Sequence, residues 1–370
     1  MSIDANLSCL GWSPAWALAF QEIPVKENLQ PARVSAQHRD LYELRAPAAV
    51  WTAELAGRLR HQAETEGVDL PAVGDWVAAL PYPNEPRATI HAVLPRRSAF
   101  SRKTAGGSPF EQIVAANVDT ALLVSGLDDN FNPRRIERYL SLAYESSAMP
   151  VIVLNKADLL PTHADREAAR REAEAIAPGV PVVLIAASRK DGIDYLRDYL
   201  PAGSTAVLLG SSGVGKSTVV NALAGRELLA TQEVSAHQSL GRHTTTHRQL
   251  VELPHGGLII DTPGMRELQL WGDESMLARS FASVEELFLQ CRFTDCTHVS
   301  EPGCAVLAAL EAGHLDPDRW SSYHKQQREL QFLARKTNKA AASNTKKKWK
   351  ARAKAHRAQL RREREREQNR

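Results

Sequence analysis

The chain reads as a multidomain protein: a small all-β barrel, then an α/β domain, then a mainly α module around a cysteine cluster. Three observations predict this. Short β-favouring runs separated by turn residues fill 32–94 with no helical period between them. Apolar runs alternating with helical segments then extend from 120 to 260, the pattern of a parallel sheet covered on both faces. Finally, three of the four cysteines fall within the fourteen residues 291–304.

Residues 1–30 mix apolar and proline-containing stretches without sustained periodicity and read as an irregular lead-in. From 31 to 103 the runs are Ala32 to Gln37, Leu41 to Arg45, Val50 to Leu55, Asp75 to Leu80 and Thr89 to Leu94. Pro47, Gly67, Pro71, Gly74 and the cluster 81–86 divide them. Five short strands fit a small barrel, and an OB-fold has the right size, although spacing alone leaves other small β-domains open. The α/β domain is expected over 113–270. Its strands are Thr120 to Val124, Val151 to Leu154, Val182 to Ala186, Thr205 to Leu209, Gln249 to Leu253 and Leu258 to Ile260. Between the first four lie the helical segments Arg134 to Ser146, Ala164 to Ile176 and Ile193 to Leu200. The cysteine-bearing module spans 271–335, and 336–370 is a low-complexity basic tail expected to be disordered.

The formal charge of +3 hides an asymmetry. Residues 335–370 hold 15 Lys/Arg and 3 Asp/Glu, and the rest of the chain holds 31 and 40. A basic tail on an acidic body points to a polyanionic partner. Four cysteines in 370 residues exclude a disulfide-rich secreted scaffold. No apolar run approaches the ~20 residues needed to span a bilayer, so a soluble cytoplasmic protein without a membrane partner is expected.

The strongest motif is Gly210-Ser211-Ser212-Gly213-Val214-Gly215-Lys216-Ser217, followed by Thr218. It matches G-x-x-x-x-G-K-[ST] between an apolar strand and a helix, where backbone N–H groups and the helix N-terminus cradle phosphates. Lys216 then reaches the β and γ phosphates, and Ser217 ligates Mg²⁺. The base is read elsewhere, because a P-loop serves ATP and GTP alike. Asn155-Lys156-Ala157-Asp158, directly after a buried strand, has the N-K-x-D form. Asp158 would accept from guanine N1–H and N2–H₂, a donor pair adenine lacks, while the Lys156 stem covers the base; alone, the tetrapeptide also fits a capped turn. Asp261-Thr262-Pro263-Gly264 fits D-x-x-G, with Asp261 holding Mg²⁺ through water and the Gly264 N–H sensing the γ-phosphate. Between these motifs, Gly241-Arg242-His243-Thr244-Thr245-Thr246 suits a switch loop, with Thr245 as candidate for completing the Mg²⁺ shell.

In common P-loop GTPases the N-K-x-D motif comes last, whereas here it precedes the P-loop. The domain therefore reads as circularly permuted, and the chain leaves it just after the D-x-x-G switch. Beyond that exit, Cys291, Cys296, His298 and Cys304 make up the Cys₃His set of a closed tetrahedral zinc site. Four protein ligands leave no open position, so one structural rather than catalytic Zn²⁺ is expected; buried unligated thiols are the other reading.

A β-barrel, a permuted GTPase domain and a Cys₃His module in this order resemble the RsgA (YjeQ) family of ribosome small-subunit-dependent GTPases. The resemblance covers about 30–335 and is carried by Val73-Gly74-Asp75-Trp76-Val77, Gln112 to Asp119, 210–218, 241–246, Asp261 to Glu267 and Ser321 to Leu330. It implies a monomeric GTP hydrolase that binds the 30S subunit and its 16S rRNA. Late in maturation of that subunit, it would couple hydrolysis of GTP to GDP to its own release. Two details depart from common GTPases. Met265 stands where many carry a water-positioning Gln, so by family analogy His243 is the candidate for that role, alongside a plain switch-loop one. Ala186-Ala187-Ser188 blurs the usual Ser-Ala guanine contact.

RNA binding also has a basis in the residues. Arg96 to Lys103 mixes cations with Phe100, a combination suited to phosphates and base stacking or to a solvated linker. The tail, with Trp349 among lysines, suits counterion release from RNA or solubility alone. Two other functions remain open: a GTP-gated RNA-binding checkpoint with negligible turnover, and a permuted GTPase of large-subunit assembly.

Overall fold

The computed structural model describes residues 5–24, 28–38, 40–66, 68–103, 111–128, 131–229, 248–261 and 274–331. His243, Thr245, Gly264 and the basic tail lie outside the described residues.

The N-terminal stretch is not an irregular lead-in. It forms α1 (Ala5–Ser8) and α2 (Pro14–Gln21), whose Trp16 is buried together with Leu7 and Leu10. Trp12 meets Trp76 of the barrel edge-on, with centroids 4.7 Å apart. The stretch shows no sustained helical period because α1 and α2 are only four and eight residues long.

The barrel strands are β1 (Gln30–His38), β2 (Leu41–Arg45), β3 (Val50–Leu55), β4 (Trp76–Pro81) and β5 (Arg87–Val93). They pair in the order β1-β2-β3-β5-β4, and β4 pairs back to β1, closing a five-stranded barrel of the OB type. Its interior is filled by Val34, Leu44, Trp51, Val77 and Ile90 among others, the inward half of each alternating strand. One helix, α3 (Gly57–Glu66), interrupts the strand series, contrary to the all-strand expectation. It is polar except for the buried Leu59, so it carries little apolar periodicity.

Beyond the barrel, β6 (Ala99–Lys103) and β7 (Glu111–Ala116) form a hairpin. Within the cationic and aromatic stretch, Arg96, Arg97 and Phe100 do not form a free stacking surface. Phe100 is 1% exposed, Arg96 binds Asp75 through Nε and Nη2 at 2.9 and 2.8 Å, and Arg97 lies over the Trp16 ring at 4.4 Å. These side chains fasten the N-terminal helix and the barrel together.

The α/β domain contains β8 (Thr120–Gly126), α4 (Pro133–Glu145), β9 (Met149–Asn155), α5 (His163–Ile176), β10 (Val182–Leu184), α6 (Ile193–Arg197), β11 (Thr205–Leu209), α7 (Lys216–Ala224), β12 (Arg248–Glu252) and β13 (Leu258–Asp261). Strand order is β10-β9-β8-β11-β13-β12, all parallel except the β12 edge. Connections run one way from β8 and the other way from β11. The crevice beyond their carboxyl ends is therefore a topological switch point, where doubly wound sheets bind ligands. Edge strand β12 also pairs with β1 of the barrel, with Ala36 opposite Gln249, so one hydrogen-bonded ladder joins the two domains.

The C-terminal module comprises α8 (Glu274–Ser280), α9 (Ala282–Phe288), α10 (Ala305–Glu311) and α11 over residues 317–331. Phe281, Val284, Val306, Tyr323 and Leu330 join the apolar cluster that also covers one face of the parallel sheet. Among the described residues, no helix is long and apolar enough to cross a membrane.

Candidate functional site

Strand β11 is buried throughout and delivers Gly210 to the switch point, and α7 starts at Lys216. Two glycines here are dictated by close approach. A Cβ on Gly210 would meet the Val124 carbonyl oxygen at 2.5 Å, and one on Gly215, at φ 93°, would meet Asn155 Nδ2 at 2.4 Å. Gly213 also holds a positive φ of 77°. The result is a tight turn through Ser211, Ser212 and Val214 ending on a helix N-terminus that carries Ser217 and Thr218, a geometry suited to an anion. Lys216 Nζ donates to the carbonyls of Gly210 and Ser211 at 2.8 and 2.7 Å, so it lies along the loop it would serve. Asp261 ends β13. Burial raises its carboxyl above its ordinary value while the Lys216 charge opposes.

Asn155 ends β9 two strands away. Its Nδ2 donates to the Val214 carbonyl at 2.8 Å and its Oδ1 accepts the Ala187 N–H at 3.1 Å. One buried amide thus ties the P-loop to the N-K-x-D turn and to the 186–188 turn, which bonds through its backbone whatever its side chains. Lys156 has a left-handed φ of 64° and pairs with Asp128 at 2.5 Å. Asp158 pairs with Arg189, Oδ2 to Nε at 3.3 Å. The structure brings together Asn155, Lys156, Asp158, residues 210–218 and Asp261. Asp128 and Arg189 were not singled out from sequence, because no motif announces them; Ala187 was named there only as part of a blurred signal, and it bonds through its backbone.

The Cys₃His residues also converge. Ligand atoms of Cys291, Cys296, His298 and Cys304 all lie within 4.8 Å of one another. His298 Nδ1 is 3.6 Å from Cys291 Sγ and 3.5 Å from Cys304 Sγ. Tetrahedral bonds of about 2.3 Å to sulfur and 2.0 Å to nitrogen put ligand atoms about 3.5 Å apart, so the donor set fits a metal of zinc's size. His298 has a left-handed φ of 59°, and Phe288 stacks on its ring at 4.3 Å. Burial holds its imidazole below the usual value, with Glu301 opposing, which favours the neutral ligand form. Glu301 braces the loop by accepting the N–H groups of Thr297, Val299 and Ser300 at 2.9, 3.0 and 3.1 Å and the Thr297 hydroxyl. Those bonds hold its carboxyl well below the usual range.

Known proteins of similar sequence and fold point the same way. The family model described as RsgA GTPase matches residues 93–271, and one described as 50S ribosome-binding GTPase matches 205–339. The small ribosomal subunit biogenesis GTPase RsgA of Opitutus terrae is 49% identical over 365 residues, covering 96% of this chain and 98% of that one. The crystal structure of YjeQ from Thermotoga maritima superposes with a TM-score of 0.59 at 30% identity, over 82% of this chain and 98% of that one. YloQ, a circularly permuted GTPase, superposes with a TM-score of 0.57 over 82% and 96%, and at 23% identity speaks for the fold alone.

Proposed function

Because the chain belongs to the RsgA GTPase family, we propose that it hydrolyses GTP to GDP and phosphate in the biogenesis of the small ribosomal subunit. It binds the 30S particle through 16S rRNA, acts as a single copy in the cytoplasm where subunits are built, and leaves as the nucleotide turns over. The observation that carries the reading is the Asn155 bridge. Through one side chain, the guanine-reading turn and the phosphate loop form a single site despite their reversed order in the chain.

In that site Asp158 accepts from the guanine N1–H and N2–H₂, which requires Arg189 to yield its contact. The Lys156 stem lies along the base, with Asp128 holding its ammonium. Backbone N–H groups from Ser211 to Thr218 surround the phosphates, and Lys216 exchanges the Gly210 and Ser211 carbonyls for β and γ oxygens. Mg²⁺ would be held by Ser217, through water by Asp261, and by Thr245, and would neutralise charge on the β and γ phosphates. The Gly264 N–H reports the γ-phosphate, and His243 orients the attacking water. Cys291, Cys296, His298 and Cys304 would hold one Zn²⁺ through four protein ligands, so its contribution would be to fix the loop 291–304 rather than to react.

The test is GTP turnover by the full chain, alone and with purified small or large ribosomal subunits. Small subunits are expected to raise turnover and large ones not to, and Lys216→Ala to lower the stimulated rate by about 10²-fold or more, the scale of losing one preorganised charge donor. Equal stimulation by large subunits would sink the small-subunit assignment.

A further inference from the structure

The β8–α4 crossover brings to the P-loop an arginine that belongs to no motif. Strands β8 and β11 pair in parallel with Leu123 opposite Leu209, so the segments leaving their carboxyl ends run side by side. Asn132 caps α4, its side-chain oxygen accepting the Arg134 N–H at 2.9 Å, and Pro133 opens the first turn. Cap and proline together set the direction of the first-turn side chains. From that turn Arg135 donates through Nη1 to Ser211 Oγ at 3.1 Å. Lys216 Nζ meanwhile donates to the Ser211 carbonyl at 2.7 Å. Ser211 is held by two cations, one from the helix its own loop enters and one from α4.

The same helix carries the C-terminal module. Arg134 pairs with Asp316, whose side chain accepts the Asp318 N–H at 2.9 Å and so caps α11. Arg134 also meets the buried Glu137 at 2.5 Å, and Arg319 of α11 lies 3.8 Å from that carboxylate. One turn further along, Arg138 grips Glu329 of α11 through both terminal nitrogens, at 2.8 and 3.1 Å. A two-pronged pair of this kind fixes direction as well as distance. Arginines 134 and 138 thus clamp α4 to the zinc-bearing module, while Arg135 between them turns to the P-loop.

We propose that Arg135 is a positioning residue of the GTP site, and that α4 transmits the placement of the C-terminal module to the P-loop through it. The proposal rests on the reading of residues 210–218 as the nucleotide site. The guanidinium acts through Ser211: it restrains the 210–212 bend, whose neighbouring N–H groups must converge on the transferred phosphate, and it adds positive potential beside Lys216. When the C-terminal module shifts against a docked ribosomal subunit, the salt bridges move α4, and Arg135 carries that movement to the loop.

The experiment measures subunit-stimulated kcat and the GTP dissociation constant of the full chain carrying Arg135→Ala, Arg135→Lys, Glu329→Gln, or Arg135→Ala with Glu329→Gln. Arg135→Ala is expected to lower stimulated kcat about tenfold while the dissociation constant moves less than about threefold, the effect of one charge-assisted hydrogen bond expressed in turnover. Arg135→Lys, which keeps the charge, recovers part of that loss. Glu329→Gln slows the parent but adds nothing in the Arg135→Ala background, since the two act along one path. Parent-like turnover of Arg135→Ala, or an equal effect of Glu329→Gln in both backgrounds, overturns the proposal. Should the alanine variant not fold, Arg135→Gln takes its place with the same expectations. Lys216→Ala separates the two readings: normal GTP binding there removes the nucleotide site itself, whereas an inactive Lys216→Ala beside an unaffected Arg135→Ala removes only the role of Arg135.

Discussion

Asp158 and Asn155 sit three residues apart in one motif and have opposite fates. The Asp158 carboxylate is partly open and held by Arg189, a contact that the proposed guanine pairing would have to displace. Asn155 is 3% exposed and spends its amide on the Val214 carbonyl and the Ala187 N–H. The tetrapeptide was legible in the sequence, but this division of labour was not, because it depends on which loops stand beside β9. Asp158→Asn tests the specificity half. An asparagine presents one acceptor and one donor, which suits a base with a carbonyl in place of the guanine amino group. GTP affinity should fall by about 30-fold or more and xanthosine triphosphate affinity should rise, since a buried donor left unpaired costs about 2 kcal/mol. Competition against a fluorescent guanine nucleotide measures both, and an unchanged preference for GTP removes Asp158 from the base site.

Among the elements, the Cys₃His loop was the most legible and the barrel exit the least. Ligands spaced over 291–304 are near in sequence and converge in the fold, so the donor set could be named from spacing. Its brace could not, because Glu301 beside Pro302 and Gly303 looks like any loop carboxylate. Metal affinity should depend on it, because a carboxylate accepting three N–H groups and a hydroxyl fixes the backbone that carries His298. Glu301→Ala is expected to speed release of bound zinc to a chelator about tenfold, the scale of losing a partner that orients metal ligands. A release rate equal to the parent's would show the loop to be held by its four ligands alone. The stretch from Arg96 to Phe100 went the other way: its composition suits RNA, yet Phe100 is interior and Arg96 and Arg97 are engaged by Asp75 and Trp16. Burial is a property of what packs over a segment, and composition does not record it.

Across the molecule, one side chain joins the N-terminal helices, the barrel and the α/β sheet. Arg33 on β1 is 2% exposed. It donates to the carbonyls of Leu10, Gly74 and Asn117 and to the Thr205 hydroxyl, the last at 2.7 Å, with its guanidinium over the Trp76 ring at 5.5 Å. Burial lowers its pKa to about 10, with Asp119 and Asp75 opposing, so it stays charged at neutral pH. Removing it strands several buried acceptors at once. Arg33→Met should therefore cost about 3–5 kcal/mol, where the more exposed Arg45–Glu252 pair across the same joint contributes about 1 kcal/mol or less. Denaturant unfolding followed by circular dichroism and by tryptophan fluorescence checks this. The two signals should separate as barrel and sheet uncouple, and a variant as stable as the parent would refute the role.

The motifs were already written in the residues: a P-loop, an N-K-x-D tetrapeptide ahead of it, and a Cys₃His set behind. Each is carried by residues within fourteen positions of one another, a span that local turns of the backbone can draw together. The coupling between those parts came from the fold. Asn155 to Val214 spans 59 positions, Arg135 to Ser211 spans 76, Arg138 to Glu329 spans 191 and Arg33 to Thr205 spans 172. Contacts at such separations depend on strand order and on which faces are buried together, and no local pattern of residues encodes either one.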